Sequence, residues 1–377
     1  MTATTTDSAA LRAQLVNRLV ADGFLHEPRW QRAFLGVLRE AFVEQFTVHD
    51  PATGTYTRYD LAADRGAALA AVYSDLSLLT QLDAGGTATS SSTTPSLMAL
   101  MLERLAVHPG HRVLEIGTGT GYNAALLCHE LGDHAVTSID IDPALVEQAR
   151  TRLAEVGYGP RLIAGDGALG VAGARPYDRI IATCGLPRVP AAWLAQTREG
   201  GIILVNLGFA LVRLTVAADG TAGGRFTDYA AFMPRRTNLD DTALTARDII
   251  AAADRDGTIC RAPLPDGLDE RSLQCLHAIV HPHVHKVVVH NDDGDMYALT
   301  DPVSGSWARA RPDGNANATV VTGGPRDLWA DLTTLAGWWN EAGRPEPTRL
   351  GLTVASDGAH ELWLDRPEQP VMPLPPA

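Results

Sequence analysis

The chain has 377 residues, 45% of them hydrophobic and 20% charged, a composition with enough apolar material for a sizeable core. At about 150 residues per domain, that length predicts two or three domains. Acids outnumber bases by 44 to 31, a net charge of −13 that excludes a non-specific electrostatic grip on nucleic acid or anionic membrane. The acid is unevenly placed: residues 1–236 hold 20 bases and 23 acids, whereas residues 237–377 hold 11 and 21. Cys128, Cys184, Cys260 and Cys275 form no Cys-x-x-Cys pair, which fits a reducing cytoplasm and excludes a disulfide scaffold. Met1 to Ala10 lack a signal-peptide pattern, and no apolar run approaches a membrane span.

Residues 9–46 predict two helices separated at Glu27-Pro28. Leu11, Leu15, Leu19 and Leu25 lie near helical spacing, and Phe34, Leu38, Phe42 and Phe46 repeat every four residues. Asp50 to Asp60 reads as a loop, and so do residues 84–95, where no apolar side chain exceeds alanine. A helix starts near Pro95. Strand and helix then alternate. Strands are predicted at Arg112 to Ile116, Ala135 to Ile139, Arg161 to Ala164, Arg179 to Thr183 and Gly201 to Leu207. Helices are predicted at Tyr122 to Leu131, Pro143 to Val156 and Ala191 to Gln196. This order argues for right-handed β-α-β units and a parallel sheet. Leu211 to Ala217 and Gly224 to Phe232 read as an antiparallel pair.

A second unit is predicted to begin near Arg236. It holds helices at Thr242 to Ala253 and Asp327 to Glu341. Its strands are Lys286 to Val289, Met296 to Thr300, Ser306 to Arg311, Thr319 to Thr322, Leu350 to Val354 and Glu361 to Leu364. The expected division is residues 1–80 as a helical region, 81–236 as an α/β cofactor domain, and 237–377 as an α+β substrate-recognition domain.

The informative stretch is Val113-Leu114-Glu115-Ile116-Gly117-Thr118-Gly119-Thr120-Gly121-Tyr122. A buried strand runs into alternating glycines and then a helix, and those glycines let the backbone approach a ligand. Alone, this pattern also fits a dinucleotide site. Its context adds three acids at three successive strand ends. Glu115 precedes the glycines, Asp140 is placed to accept two ribose hydroxyls, and Asp166 in Gly165-Asp166-Gly167 is placed to accept from an adenine amino group.

These residues resemble S-adenosylmethionine-dependent methyltransferases, and within them the protein-L-isoaspartate O-methyltransferases. The resemblance runs from about residue 10 to 235. It takes in Tyr73-Ser74-Asp75, the small-residue loop before Pro95, Val113 to Tyr122, and Gly165-Asp166-Gly167. Asp178 to Thr183, Pro187 to Pro190, Gly200-Gly201-Ile202 and Phe232-Met233-Pro234 complete it. It implies a Rossmann-like class I methyltransferase with S-adenosyl-L-methionine as cofactor and no metal. Glu115, Gly117, Thr118, Gly119, Gly121, Asp140, Ile141, Asp166, Gly167 and Thr183 are the implied cofactor residues, and Ser91, Ser92 and Thr93 the implied catalytic ones.

Two departures matter. The family's Ile-Ser-Gln-Pro segment, whose serine contacts the substrate carboxylate, reads Ser92-Thr93-Thr94-Pro95. Thr93 keeps the hydroxyl, but its methyl narrows the pocket. Some 140 further residues, which the repair enzymes are expected to lack, follow the resemblance. Both features are similar to the branch associated with ribosomally made peptide natural products, among them ATP-grasp-modified peptides, lanthipeptides and lasso peptides. That branch implies methylation of an aspartate in a precursor peptide, already cyclised or cross-linked, whose ester then closes to an aspartimide. It also admits a peptide-modifying partner enzyme. The alternatives are general repair of isoaspartyl residues and a non-catalytic peptide-binding protein. The hydroxyl-rich loop also reads as a flexible surface segment.

Ala182-Thr183-Cys184-Gly185-Leu186-Pro187 lacks the Asn/Asp-Pro-Pro-Tyr type segment expected of nucleic-acid amino-methyltransferases, so no nucleic-acid partner is expected. Cys184 reads as a packing residue. His281, His283 and His285 alternate with Asp292, Asp293 and Asp295 nearby; a solvated or interface strand edge is the favoured reading over a metal site. Trp329, Trp338 and Trp339 read as core or interface.

Overall fold

Apolar runs buried on both faces build the centre of the chain. The computed structural model describes residues 8–376, apart from 51–52, 84, 172, 174–175, 242–243, 291–293 and 315. Val113–Ile116, Val136–Asp140 and Arg161–Ala164 pair in parallel on one side, and Tyr177–Leu186 and Thr197–Leu207 continue the parallel set on the other. The chain therefore leaves Val113–Ile116 in one direction and returns on its opposite side. That reversal opens a crevice at the carboxyl ends of the strands. Helices Pro95–Leu105, Tyr122–Leu131 and Pro143–Glu155 cover the faces, close to the predicted bounds.

The N-terminal part differs from expectation. Helix Pro28–Gly36 stops early, so Phe42 ends a 3₁₀ turn and Phe46 lies in strand Gln45–Asp50. The four-residue repeat reflects shared burial of Phe34, Phe42 and Phe46 in one core, not one helix. The predicted loops are partly strands: Thr55–Asp60, Gln45–Asp50, Leu78–Leu82 and Ala88–Ser92 form an antiparallel sheet in that order. Of the residues in these two stretches, 51–52 and 84 lie outside the described ones.

The break at residue 236 is also different from expectation. A five-stranded antiparallel sheet does follow it, ordered Thr258–Pro263, Asn317–Gly323, Ser306–Pro312, Met296–Asp301 and His285–Val289. But Leu350–Val354, His360–Leu364 and Pro370–Leu374 return to the central sheet, where Leu350–Val354 pairs with Ala222–Tyr229. The central sheet thus has ten strands. Helix Leu328–Glu341 joins the two cores, with Trp329 and Leu332 in the smaller one and Leu335 and Trp339 in the central one. Trp338 is half-buried against the central core. Arg188 adds a polar tie: its buried guanidinium donates to the carbonyls of Ile279 (3.0 Å) and Pro375 (2.8 Å). His360 Nε2 accepts from Val189 N at 3.0 Å.

His281, His283 and His285 do not share a strand face, because His281 caps helix Arg271–Val280 and the strand begins only at His285. Asp292 and Asp293 lie outside the described residues. Among the described residues no group of three or more His, Cys, Asp or Glu is placed to hold a metal ion, and no helix is long and apolar enough to cross a membrane.

Candidate active site

A cavity of about 280 Å³ opens where the central sheet reverses direction. The glycine turn forms its floor. Gly117, Gly119 and Gly121 have φ of +96°, +50° and +91°, a region that disfavours side chains. Gly117 is required twice over, since a Cβ there would stand 2.8 Å from Thr183 Oγ1. That hydroxyl donates to Gly117 O at 2.8 Å and locks the turn to the fourth strand of the α/β alternation.

Ser91, Ser92, Thr93, Gly117, Thr118, Gly119, Asp140, Ile141, Gly167 and Thr183 all line the cavity. Three expected residues do not. Glu115 lies behind the turn, fully buried, accepting from Asn123 Nδ2 (2.7 Å) and Ser138 Oγ (2.5 Å). Burial pushes its carboxyl up to about 7. It is a support for the turn, because Ser138 also bonds Thr118 Oγ1 at 2.7 Å. Gly121 packs against helix Pro143–Glu155, where an added Cβ would meet Ala149 at 3.2 Å. Asp166 is set back, its Oδ1 accepting from Ala168 N (2.9 Å) and Arg235 NH1 (2.7 Å).

Asp140 stands at the wall as expected. Its Oδ2 accepts from Gly119 N at 2.9 Å and its Oδ1 from Asp142 N at 3.1 Å. Burial raises its carboxyl above the ordinary value, while those donors and the Arg236 charge act against the rise. Cys184 also lines the cavity, and burial pushes its thiol up to about 12, which leaves it a protonated packing residue.

The hydroxyl segment is an ordered strand edge rather than a flexible loop. Arg39, fully buried, donates to Ser92 Oγ (3.2 Å) and to the carbonyls of Val72, Ser74, Leu76, Ser92 and Thr93 at 2.7 to 3.4 Å. Ser92 is thereby tied into the wall, and Ser90 accepts from Thr80 Oγ1 at 3.3 Å. Ser91 and Thr93 are half-buried at the cavity. Sequence reasoning missed Arg39, although an arginine inside the apolar run Phe34 to Phe46 was a usable signal. It also missed Asn123, Arg235 and Arg236, which line the cavity.

The residues fit S-adenosylmethionine. Asp140 offers a carboxylate for a ribose diol, and the glycine turn lets a ligand approach the backbone. Asn123 Oδ1 is a buried acceptor without a partner among the described residues, suited to an ammonium group. A doubly wound sheet with this site at its reversal point defines a class I S-adenosylmethionine-dependent methyltransferase, with an additional strand-rich C-terminal part.

The family model for protein-L-isoaspartate(D-aspartate) O-methyltransferases matches residues 10–233, and the chain belongs to that family of carboxyl O-methyltransferases. It is 33% identical over 196 residues to the protein-L-isoaspartate O-methyltransferase of Ignicoccus hospitalis, covering 52% of this chain and 80% of that one. It is 32% identical over 200 residues to that of Methanopyrus kandleri, covering 52% and 76%. A solved protein-L-isoaspartate O-methyltransferase structure aligns with 94% of this chain and 100% of its own, at a TM-score of 0.56 and 22% identity. That likeness of fold reaches well beyond residue 236. One protein of this name thus has a counterpart in fold to the extension, which was expected to be lacking.

Proposed function

We propose that the chain methylates a carboxylate on a peptide or protein, with an isoaspartyl residue as the favoured substrate. One observation carries the reading: the cavity that holds the glycine turn is also lined by Ser91 and Thr93, on an edge clamped by Arg39. A carboxylate has an unperturbed pKa of about 4, so it needs no general base near neutral pH. Hydroxyl donors hold it without neutralising it, whereas a direct arginine clamp would quench the nucleophile. S-adenosylmethionine supplies an electrophilic methyl on a sulfonium. The protein's task is alignment, an effect that can provide roughly 7–11 kcal/mol. Asp140 and Asn123 hold the cofactor side, and Thr93 holds the carboxylate side. In the resulting ester the following backbone nitrogen attacks the carbonyl carbon. The C–N bond forms, the C–O bond to methoxide breaks, and the N–H proton leaves with it as methanol.

The names of its relatives support isoaspartyl repair. Thr93 in place of the family's serine favours a second reading, an aspartate in a modified precursor peptide, since the extra methyl alters the pocket that selects the carboxylate. The C-terminal extension does not separate the two, given its counterpart in fold. A reducing cytoplasm and a peptide-modifying partner enzyme belong to the second reading as proposals.

Mass spectrometry distinguishes them. The full-length protein, with cofactor, is offered one peptide in isoaspartyl and aspartyl forms, and a cyclised precursor with an aspartate. Gain of about 14 Da, one CH2, on the isoaspartyl form alone supports repair-type chemistry. Gain on the cyclised precursor alone, followed by loss of methanol, supports the second reading. No gain on any of them overturns both and leaves a peptide-binding protein. Thr93→Val is expected to reduce methyl transfer while leaving cofactor binding intact; equal activity would remove Thr93 from the site.

A further inference from the structure

Residues 231–236 form a strap along the cofactor side of the cavity and line it throughout. The strap is fixed at the end of strand Tyr177–Leu186. Gly185 N donates to Met233 O at 2.9 Å, and Arg235 N donates to Gly185 O at 2.8 Å. Its two arginines reach back to acids at successive strand ends. Arg235 NH1 bonds Asp166 Oδ1 at 2.7 Å, and Arg236 NH2 stands 3.9 Å from Asp142 Oδ2.

Arg235 rather than Asp166 reaches the cavity wall. Its Nε is buried and has no hydrogen-bond partner among the described residues. Buried donors are seldom left unpaired, so an unpaired one at a ligand cavity points to an acceptor on the ligand. Asp140 takes the ribose, and beyond it Ile141, Gly167 and Arg235 line the same cavity, so the base is directed toward Arg235. An arginine presents donors only. It therefore matches adenine, whose ring nitrogens are acceptors.

We propose that Arg235 is a specificity residue for the cofactor's base: Nε–H donates to N1 of adenine, while the NH1 bond to Asp166 fixes the guanidinium at the wall. Hypoxanthine inverts this match, placing the N1–H donor against the arginine. The assignment rests on the cofactor site and not on the choice of peptide substrate.

Calorimetry on the full-length protein tests it, with S-adenosylhomocysteine and S-inosylhomocysteine as probes. Wild type is expected to favour the adenosyl compound by about tenfold or more, the scale of one lost hydrogen bond to a charged group. Arg235→Met is expected to bind the adenosyl compound about tenfold more weakly and to lose most of the preference. Arg235→Lys keeps a cation for Asp166 but lacks the planar fork, and should behave like Arg235→Met at an unchanged melting temperature. Loss of both probes by the same factor, with the preference intact, would assign Arg235 a merely structural role and overturn the proposal. So would adenosyl binding within about threefold of wild type in both variants. Wild type binding neither probe would overturn the cofactor site and this assignment with it.

Discussion

Arg39→Met is the sharpest probe of the hydroxyl edge. The wild-type guanidinium makes six N–H···O contacts at 2.7 to 3.4 Å, five of them to backbone carbonyls. Methionine fills similar space and makes none. Each carbonyl left buried and unpaired costs about 1–3 kcal/mol. Part of that is offset, because burial already disfavours the cation and lowers its pKa to about 10. The net loss should resemble that of breaking a buried charged network, about 3–5 kcal/mol. At about 2–4 °C per kcal/mol, the melting temperature should fall by roughly 10 °C. The loss should be local in its functional effect. Arg39 donates to no residue of the glycine turn, so binding of S-adenosylhomocysteine should change by less than about threefold, while KM for the peptide rises by about tenfold or more. Thermal unfolding, calorimetry and initial rates read the three quantities. A melting shift below about 2 °C would refute the energetic argument. Cofactor affinity falling while peptide KM stayed constant would refute the placement of Arg39 behind the substrate edge.

Asp140→Ala removes a carboxyl acceptor from the cavity wall. With two hydrogen bonds lost at about 1.5–3 kcal/mol each, Kd for S-adenosylhomocysteine should rise at least a hundredfold by calorimetry; unchanged affinity would reject the ribose assignment. Burial raises the Glu115 carboxyl from 4.5 to about 7, so the native state keeps a proton that the unfolded chain has released. Its contribution to stability is therefore lost as pH climbs through that window. Glu115→Gln should melt progressively higher relative to wild type from pH 5 to pH 8, by about 1 kcal/mol or more at the upper end; a constant difference would refute the shift. Truncation after residue 348 strips Leu350, Leu352, Val354 and Leu362, all buried, from the central sheet. At about 1.5–3 kcal/mol each, this rivals the ~5–15 kcal/mol that holds a domain together. A cooperative melt in the shortened chain would show that the three strands are dispensable.

The parallel core was legible because its signals are local. Val113–Ile116 is an apolar run too short for a helix, Pro143 opens a helix, and the glycines announce a turn. Ala88–Ser92 was illegible for the opposite reason. Its small polar residues carry no apolar period, and its order comes from pairing with Leu78–Leu82 and from Arg39, far away in sequence. The return of Leu350–Val354 to Ala222–Tyr229 is likewise a long-range pairing that no short window contains. Within the site, strand-end acids were found by position, but position does not tell which way a carboxylate turns. Asp140 faces the cavity, Glu115 faces Asn123 and Ser138, and Asp166 faces Arg235.

The pairing of Ala222–Tyr229 with Leu350–Val354 sets an order of events during synthesis. All five parallel strands and the glycine turn leave the ribosome before residue 208, yet the outer edge of Ala222–Tyr229 must wait for a partner from near the end of the chain. Pairings of such separation are slow to form, and open strand edges invite association with other chains. Until the last strands arrive, the nascent protein therefore holds a nearly complete cofactor crevice beside an unprotected edge. S-adenosylmethionine bound at that stage would stabilise the folded half by mass action and lessen the exposure. Cofactor supply during expression would then affect yield as well as turnover.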